Sequence, residues 1–393
     1  MRKKTVRDID VSHRRVFVRV DFNVPIERGR ISDDHRITAA LPTIAYLRDH
    51  GAAVILASHL GRPKGPDPAL RMDPVAQRLA ELLHRPVPKL DDCVGPAVNA
   101  AVGALGPGDV ALLENLRFHK EEEADDPAFA RALASTAQIY VNDAFGTAHR
   151  AHASTVGVAK ILPAVAGLLM ERELMFLGKV LEAPTKPLVV ILGGKKVGDK
   201  IGVIRNLLRL AQTMLIGGGM CYTLLRASGG QIGTSLCEED KLDLARELMA
   251  EANDRGVRML LPLDVVAAQR PAPDAEVRVV GARAIPDGWM GLDIGSRTEA
   301  AFGAPTAAAG TVLWNGPMGV FELAPFSGGT RAIAKAVAES CAESIVGGGD
   351  TVSAVEQFGY ADKMTHVSTG GGATLEFMEG KVLPGVAVLE DAA

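Results

Sequence analysis

Val16-Phe-Val-Arg-Val20, running into Asp21-Phe-Asn-Val-Pro25, decides how the chain is read. A short apolar, β-branched run is a buried strand, and the polar segment that closes on proline is a loop at its carboxyl end. The same pattern recurs through the first half. Ala53-Val-Ile-Leu-Ala-Ser58 leads into His59-Leu-Gly-Arg-Pro-Lys-Gly65, and Val110-Ala-Leu-Leu113 into Glu114-Asn-Leu-Arg-Phe-His119. Ile139-Tyr-Val141 leads into Asn142-Asp-Ala-Phe-Gly-Thr-Ala-His-Arg150. Between them, windows such as Ile37–Arg48 and Pro74–Leu83 carry apolar residues at helical spacing. Strand, loop and helix in alternation predict an α/β fold with a mostly parallel, doubly wound sheet.

The second half repeats the pattern with glycine where the first has arginine. Leu188-Val-Val-Ile-Leu192 precedes Gly193-Gly-Lys-Lys, and Met214-Leu-Ile216 precedes Gly217-Gly-Gly-Met. Val312-Leu-Trp314 precedes Asn315-Gly-Pro-Met-Gly, Ser344-Ile-Val346 precedes Gly347-Gly-Gly-Asp-Thr351, and His366-Val367 precedes Ser368-Thr-Gly-Gly-Gly372. A chain of 393 residues exceeds what one core organises. Two Rossmann-like domains are therefore expected, 1–168 and 187–372, joined by a hinge helix and linker over 169–186. The last segment, 373–393, reads as returning to the first domain.

Composition narrows the partners. With 43 basic and 47 acidic residues the net charge is −4, which lacks the dense basic face that nucleic acid or an anionic membrane requires. No apolar signal core and no window long enough to span a membrane occurs, so the chain reads as cytoplasmic. Cys93, Cys221, Cys237 and Cys341 form no C-x-x-C pair and read as reduced thiols rather than a zinc or disulfide framework. Eight of the nine histidines, all but His366, fall in the first half, so the halves are expected to do different work.

In an open parallel sheet, ligands bind beyond the carboxyl ends of the strands. The first-half loops place there Asp21 and Asn23, His59 and Arg62, Arg117, and His149 with Arg150, while Arg36 opens the first helix. Several guanidiniums converging with one imidazole suit a phosphorylated carboxylic acid, because arginine matches both anions with paired hydrogen bonds. His149-x-x-His152 lacks a third ligand at metal spacing and is read as structural or phosphate-facing. The second-half glycine loops are expected to leave backbone N–H groups open at helix starts, where they bind phosphate. Neither the G-x-x-x-x-G-K-[S/T] loop nor the G-x-G-x-x-G dinucleotide fingerprint is present, which disfavours a dinucleotide oxidoreductase. Asp350, beside the Gly347–Gly349 turn, reads as a Mg²⁺ ligand that can also cap the next helix. Of Lys195, Lys196 and Lys200, at least one should face the cleft.

These motifs together resemble the phosphoglycerate kinase family over almost the whole chain: Val18–Pro25, Ser58–Gly65, Glu114–Phe118, Asn142–His152, Gly193–Ile201, Trp314–Glu322, Gly347–Thr351 and Ser368–Gly372. The resemblance implies a monomeric, hinge-bending kinase that interconverts 3-phosphoglycerate plus ATP with 1,3-bisphosphoglycerate plus ADP, with Mg²⁺. It implies acid contacts from Asp21, Asn23, Arg36, His59, Arg62, Arg117 and Arg150. It implies nucleotide contacts from Gly193, Gly194, Lys196, Lys200, Gly217, Gly218, Gly291, Asn315, Pro317, Glu322, Gly348, Gly349, Asp350 and Thr351, with Asp350 on the metal. Catalysis would fall to Arg36, Lys200 and the amides of Gly371 and Gly372. Lys195 and Gly198 depart from the family pattern, where small residues and Ser or Ala are usual, and bear on local loop geometry. The alternatives are a kinase of another small carboxylate, which would need fewer arginines, and a nucleotide-binding protein without catalysis.

Overall fold

The computed structural model describes residues 2–392. They divide into two compact units: one runs to Met175 and resumes at Val382, and the other is Phe176–Lys381.

In unit 1 the strand Arg15–Arg19 lies at the centre of a five-stranded parallel sheet. It pairs with Ala53–Ala57 on one side and Ile139–Asn142 on the other, and Val110–Leu112 and Ala164–Ala166 form the edges. The order reverses on either side of Arg15–Arg19, which makes its carboxyl end the switch point where such sheets hold ligands. Val16, Phe17, Val18 and Ile55 are fully buried, as expected of strands covered on both faces. The covering helices are α1 (His35–Asp49), α2 (Asp73–Leu83), α3 (Pro96–Gly103) and α4 (Pro127–Ala134). Ile37, Ile44 and Leu47 of α1 and Val75 and Leu79 of α2 join Val16, Val18, Val54 and Leu56 in one core. α5 (Leu168–Glu182) follows the last strand, and its start is held by Asp143, whose Oδ1 accepts from the amides of Leu169 at 2.9 Å and Met170 at 3.3 Å.

Unit 2 repeats the design with a six-stranded parallel sheet. Leu188–Leu192 is central, between Thr213–Ile216 and Thr311–Asn315; Arg258–Leu260 lies outside the former, and Glu343–Gly347 and then His366–Val367 outside the latter. Its helices are α6 (Ile201–Leu207), α7 (Met220–Ala227), α8 (Leu242–Asp254), α9 (Ser296–Ala307), α10 (Gly328–Glu339), α11 (Gly349–Gln357) and α12 (Gly372–Met378). An antiparallel sheet of Asp264–Ala268, Arg278–Gly281 and Met290–Ile294 is added to this frame. The repeat of strand and glycine loop does not predict it. Arg278–Gly281 is mostly exposed, with Val279 at 63%, and Met290–Ile294 is interrupted by Asp293, so neither reads as an apolar run, although Val265, Ala267 and Ala268 of Asp264–Ala268 are buried.

The return to unit 1 starts at Val382, not at 373. Residues before that point stay in unit 2 because α12 packs on α6, with Asn206 Nδ2 donating to the Met378 carbonyl at 2.8 Å. From Val382 onward the chain passes through α13 (Pro384–Ala387) and is stitched into unit 1. The Gly385 amide donates to Ala148 O at 2.8 Å, Asn142 Nδ2 donates to Gly385 O at 3.0 Å, and the Lys4 amide donates to Glu390 O at 2.9 Å.

Candidate active site

The switch point of unit 1 is built around a buried arginine that sequence reading passes over. Arg19 ends the central strand with 1% of its surface exposed. Its Nε donates to Ser154 Oγ at 2.7 Å, and that hydroxyl donates to the buried Glu122 Oε1 at 2.6 Å. Its Nη2 lies 3.1 Å from His59 Nδ1. A guanidinium can only donate, so Nδ1 accepts and the ring proton sits on Nε2. Burial, then the charges of Arg19, Arg117, Arg36 and Arg150, hold His59 well below the ordinary histidine pKa. His59 is therefore a neutral hydrogen-bond donor.

The other expected acid-site residues gather on the same loops. Arg36, in the first turn of α1, donates from Nη1 to Asp21 Oδ2 at 2.7 Å. Asp21 Oδ1 is buried and has no hydrogen-bond partner, 3.9 Å from His59 Nδ1. Asn23 Oδ1 accepts from the Gly61 amide, and Arg117 Nη1 donates to the Gly61 carbonyl, both at 2.8 Å, so one residue of the His59–Gly65 loop is gripped from two sides. Arg117 is itself set by Asn115, whose Oδ1 accepts from the amides of Leu60 and Arg117 at 3.1 Å each. Arg150 is half-buried, with its Nε donating to His149 Nε2 at 3.2 Å, and Arg62 is exposed. Arg36, Arg117 and Arg150 are thus close enough to act together on His59, joined by the unforeseen Arg19.

In unit 2 the corresponding switch point lies between Leu188–Leu192 and Thr311–Asn315, and Lys200 is anchored across it. Its Nζ donates to Gly193 O and Asn315 O at 2.8 Å each and to Asn315 Oδ1 at 2.6 Å. Burial lowers its pKa to about 8, opposed by the negative charges of Asp350 and Asp199. Lys195 and Lys196 are exposed, so Lys200 is the lysine of the run that turns inward. Asn315 Nδ2 donates to Gly347 O at 2.9 Å, and Thr351 Oγ1 accepts from the Gly316 amide at 2.7 Å, which locks the third and fourth glycine loops together.

The glycines do something other than expected. The amides of Gly193, Gly194, Gly217 and Gly218 donate to Asn315 O, Pro317 O, Leu192 O and Met318 O, so they are not open to a phosphate. Their value lies in close approach: a Cβ on Gly193 would sit 2.0 Å from Pro317 O, and one on Gly218 would sit 2.5 Å from the Gly194 nitrogen. Gly217 abuts Met318 Sδ in the same way, and Gly291, on the antiparallel sheet, abuts Tyr222 Oη. Gly198 faces Glu238, whose Oε2 accepts from its amide at 3.1 Å. Open amides belong instead to the helix starts. Gly349 and Asp350 are exposed on the first turn of α11, where N–H groups have no intrahelical acceptor. Gly371 (φ 52°) and Gly372 begin α12, and Gly371 holds a backbone conformation that a side chain would strain. Pro317 is buried in the loop contact, and Glu322 is exposed.

A profile of the phosphoglycerate kinase family matches residues 6–381. The chain belongs to the phosphoglycerate kinase family. The phosphoglycerate kinases of Moorella thermoacetica and Pelotomaculum thermopropionicum are each 59% identical to it across the full length of both chains. The solved phosphoglycerate kinase of Coxiella burnetii has a TM-score of 0.90 at 42% identity, covering 98% of each chain. That of Pyrococcus horikoshii OT3 reaches 0.87 at 33% identity with the same coverage. As a phosphoglycerate kinase family member the chain is a phosphotransferase with a carboxyl group as acceptor. Its reaction is the reversible transfer between ATP and 3-phosphoglycerate that serves glycolysis.

Proposed function

We propose that unit 1 holds 3-phosphoglycerate and unit 2 holds Mg²⁺-bound ATP, with the residues expected above in their stated roles, except that Gly193, Gly194, Gly217 and Gly218 serve by close backbone approach and not by open amides. The observation that carries the acid site is the orphaned Asp21 Oδ1 set among arginines. A purely anionic ligand would leave that acceptor facing like charge, whereas the 2-hydroxyl of 3-phosphoglycerate supplies a donor for it. Arg36, Arg62, Arg117 and Arg150, with the Nε2–H of His59, then meet the phosphate and carboxylate. The carboxylate is ionised at neutral pH, so transfer needs no general base and rests on positioning and charge stabilisation.

Asp350 fits a magnesium site: it is an exposed carboxylate, a hard oxygen donor, at a helix start with open amides. Bound there with the nucleotide, Mg²⁺ would neutralise phosphate charge. Lys200, and the amides of Gly371 and Gly372 at the start of α12, supply the remaining positive field. 3-Phosphoglycerate with Mg-ATP yields ADP in a coupled assay, and excess chelator abolishes the turnover. Acetate or glycerate in place of the phosphorylated acid gives no comparable rate. Equal rates with an unphosphorylated acid would overturn the acid-site assignment.

The shift on Lys200 sets a pH dependence. Below about 8 the amine is charged and above it neutral, so kcat/KM for the nucleotide falls as pH rises through about 8. A folded pKa below the ordinary 10.5 also means that the unfolded chain holds this proton more tightly. The group therefore costs stability while charged, and that cost fades as pH climbs from about 8 towards 10.5. A profile flat from pH 7 to 10 would remove Lys200 from the charged machinery.

Because acid and nucleotide contacts belong to separate units, transfer requires the units to close on one another, which also keeps water from the acyl phosphate. Small-angle scattering is expected to give the mass of one chain and a radius of gyration that shrinks only when both ligands are present. An unchanged radius with both bound would rule closure out. A cytoplasmic, reducing setting suits cysteines that are all free thiols.

A further inference from the structure

The turn that carries Arg117 also presents, on its far side, a group of donors that the kinase reaction does not use. His119 Nε2 lies 2.6 Å from Asp92 Oδ1, and Cys93 Sγ donates to the Glu114 carbonyl at 2.9 Å. One ligand atom from each of Asp92, Cys93 and His119 falls within 4.8 Å of the other two, and among the described residues this is the one group of His, Cys, Asp and Glu side chains gathered so closely. Sequence spacing hides it, because Cys93 has no neighbouring cysteine and His119 comes from a different loop. A cavity of about 340 Å³ opens on the cluster, lined by Asp91, Asp92, Glu114, Phe118 and His119 among others.

We propose that Asp92, Cys93 and His119 bind a divalent cation of the zinc class through one oxygen, one sulfur and one nitrogen, leaving a fourth position open to that cavity. The donor set selects the ion. Zinc and cobalt accept mixed O, N and S ligands in a tetrahedron with bonds of about 2.0–2.3 Å, which needs donor atoms roughly 3.3–3.8 Å apart. The three donor atoms lie within 4.8 Å of one another, and rotation of the exposed Asp92 away from its hydrogen bond, at 2.6 Å from His119, opens room for the ion between them. Magnesium, which requires an octahedron of oxygens, is excluded by the thiol and the imidazole, so the site is distinct from the one assigned to Asp350. A packed thiol and a surface His–Asp pair would each explain one contact, but not why His119, from a different loop, brings its ring nitrogen within 4.8 Å of the sulfur. Sulfur binds the ion as thiolate, so the Cys93 proton is displaced on binding.

The test uses the full chain, freed of metal with chelator, in a Cys237→Ser/Cys341→Ser background that removes the more accessible thiols. Titration with Co²⁺ is expected to saturate at one ion per chain, with the near-ultraviolet thiolate-to-cobalt charge-transfer band and the strong visible bands of a four-coordinate site. Zn²⁺ should bleach them, and a large excess of Mg²⁺ should not. Cys93→Ser should abolish the charge-transfer band. His119→Ala and Asp92→Asn, which alter only partly or fully exposed side chains, should weaken Co²⁺ binding at least about tenfold with the thermal unfolding midpoint retained. Absence of the band in the starting protein, its survival in Cys93→Ser, or displacement of Co²⁺ by Mg²⁺ overturns the proposal. If Cys93→Ser does not fold, unchanged Co²⁺ affinity in both other variants overturns it equally.

Discussion

Lys200→Ala lowers kcat by roughly 10²–10³ while the dissociation constant for 3-phosphoglycerate stays nearly unchanged. The size follows from where the charge sits. Lys200 is buried to 8% exposure at the carboxyl ends of two adjacent central strands, and a charge in such a dry place acts more strongly than one in water. Its ammonium is also fixed in advance by three oxygen acceptors, so little reorganisation is needed when charge moves between phosphates. Arginine should not rescue the variant. A single methyl group on Gly316 would already lie 2.8 Å from Nζ, and the space beside that loop does not admit a guanidinium. Steady-state kinetics together with calorimetric binding of the acid separate the possibilities. If kcat holds and only the nucleotide KM rises, Lys200 binds ground and transition states alike, and its catalytic role is lost.

Arg36→Ala is the second large effect, expected to cut kcat/KM for 3-phosphoglycerate by about 10²–10³. Two losses combine. The substrate loses a guanidinium, and Asp21 loses its ion-pair partner at 2.7 Å, leaving a largely buried carboxylate with neither oxygen paired. Since one nitrogen of Arg36 is committed to Asp21, the remaining face of its fork is what meets the substrate. Arg36→Lys therefore restores little, because an ammonium cannot serve Asp21 and a planar anion in one plane. Wild-type kcat/KM in Arg36→Ala would mean that the acid binds elsewhere.

Much of this architecture is legible in the sequence because parallel strands buried on both faces leave uninterrupted apolar runs, and Ala53–Ala57 and Leu188–Leu192 are such runs. The arginines proposed for the acid site stand out for a related reason: each follows a strand, or opens the helix after it, at the end of the sheet where such folds hold ligands. Arg19 does not, because it closes a strand buried on both faces, and nothing local shows that its guanidinium finds its partners in His59 and Ser154. Asn315 is expected as a nucleotide contact, but its part as the acceptor that anchors Lys200 depends on two strands distant in sequence. The glycines mislead as to mechanism. A glycine in sequence is equally consistent with an open amide and with a backbone too close for any side chain, and the contacts of Gly193 and Gly218 decide for the latter.

The stitching of residues 382 onward into unit 1 has a consequence for how the protein is made. Unit 2 is continuous from Phe176 to Lys381, so every residue it needs has been synthesised before Val382 is added. Unit 1, though begun first, must wait with Ala148 and Asn142 lacking their partners at Gly385 until that later stretch leaves the ribosome. The half that starts translation is thus the half whose native contacts span the longest stretch of chain.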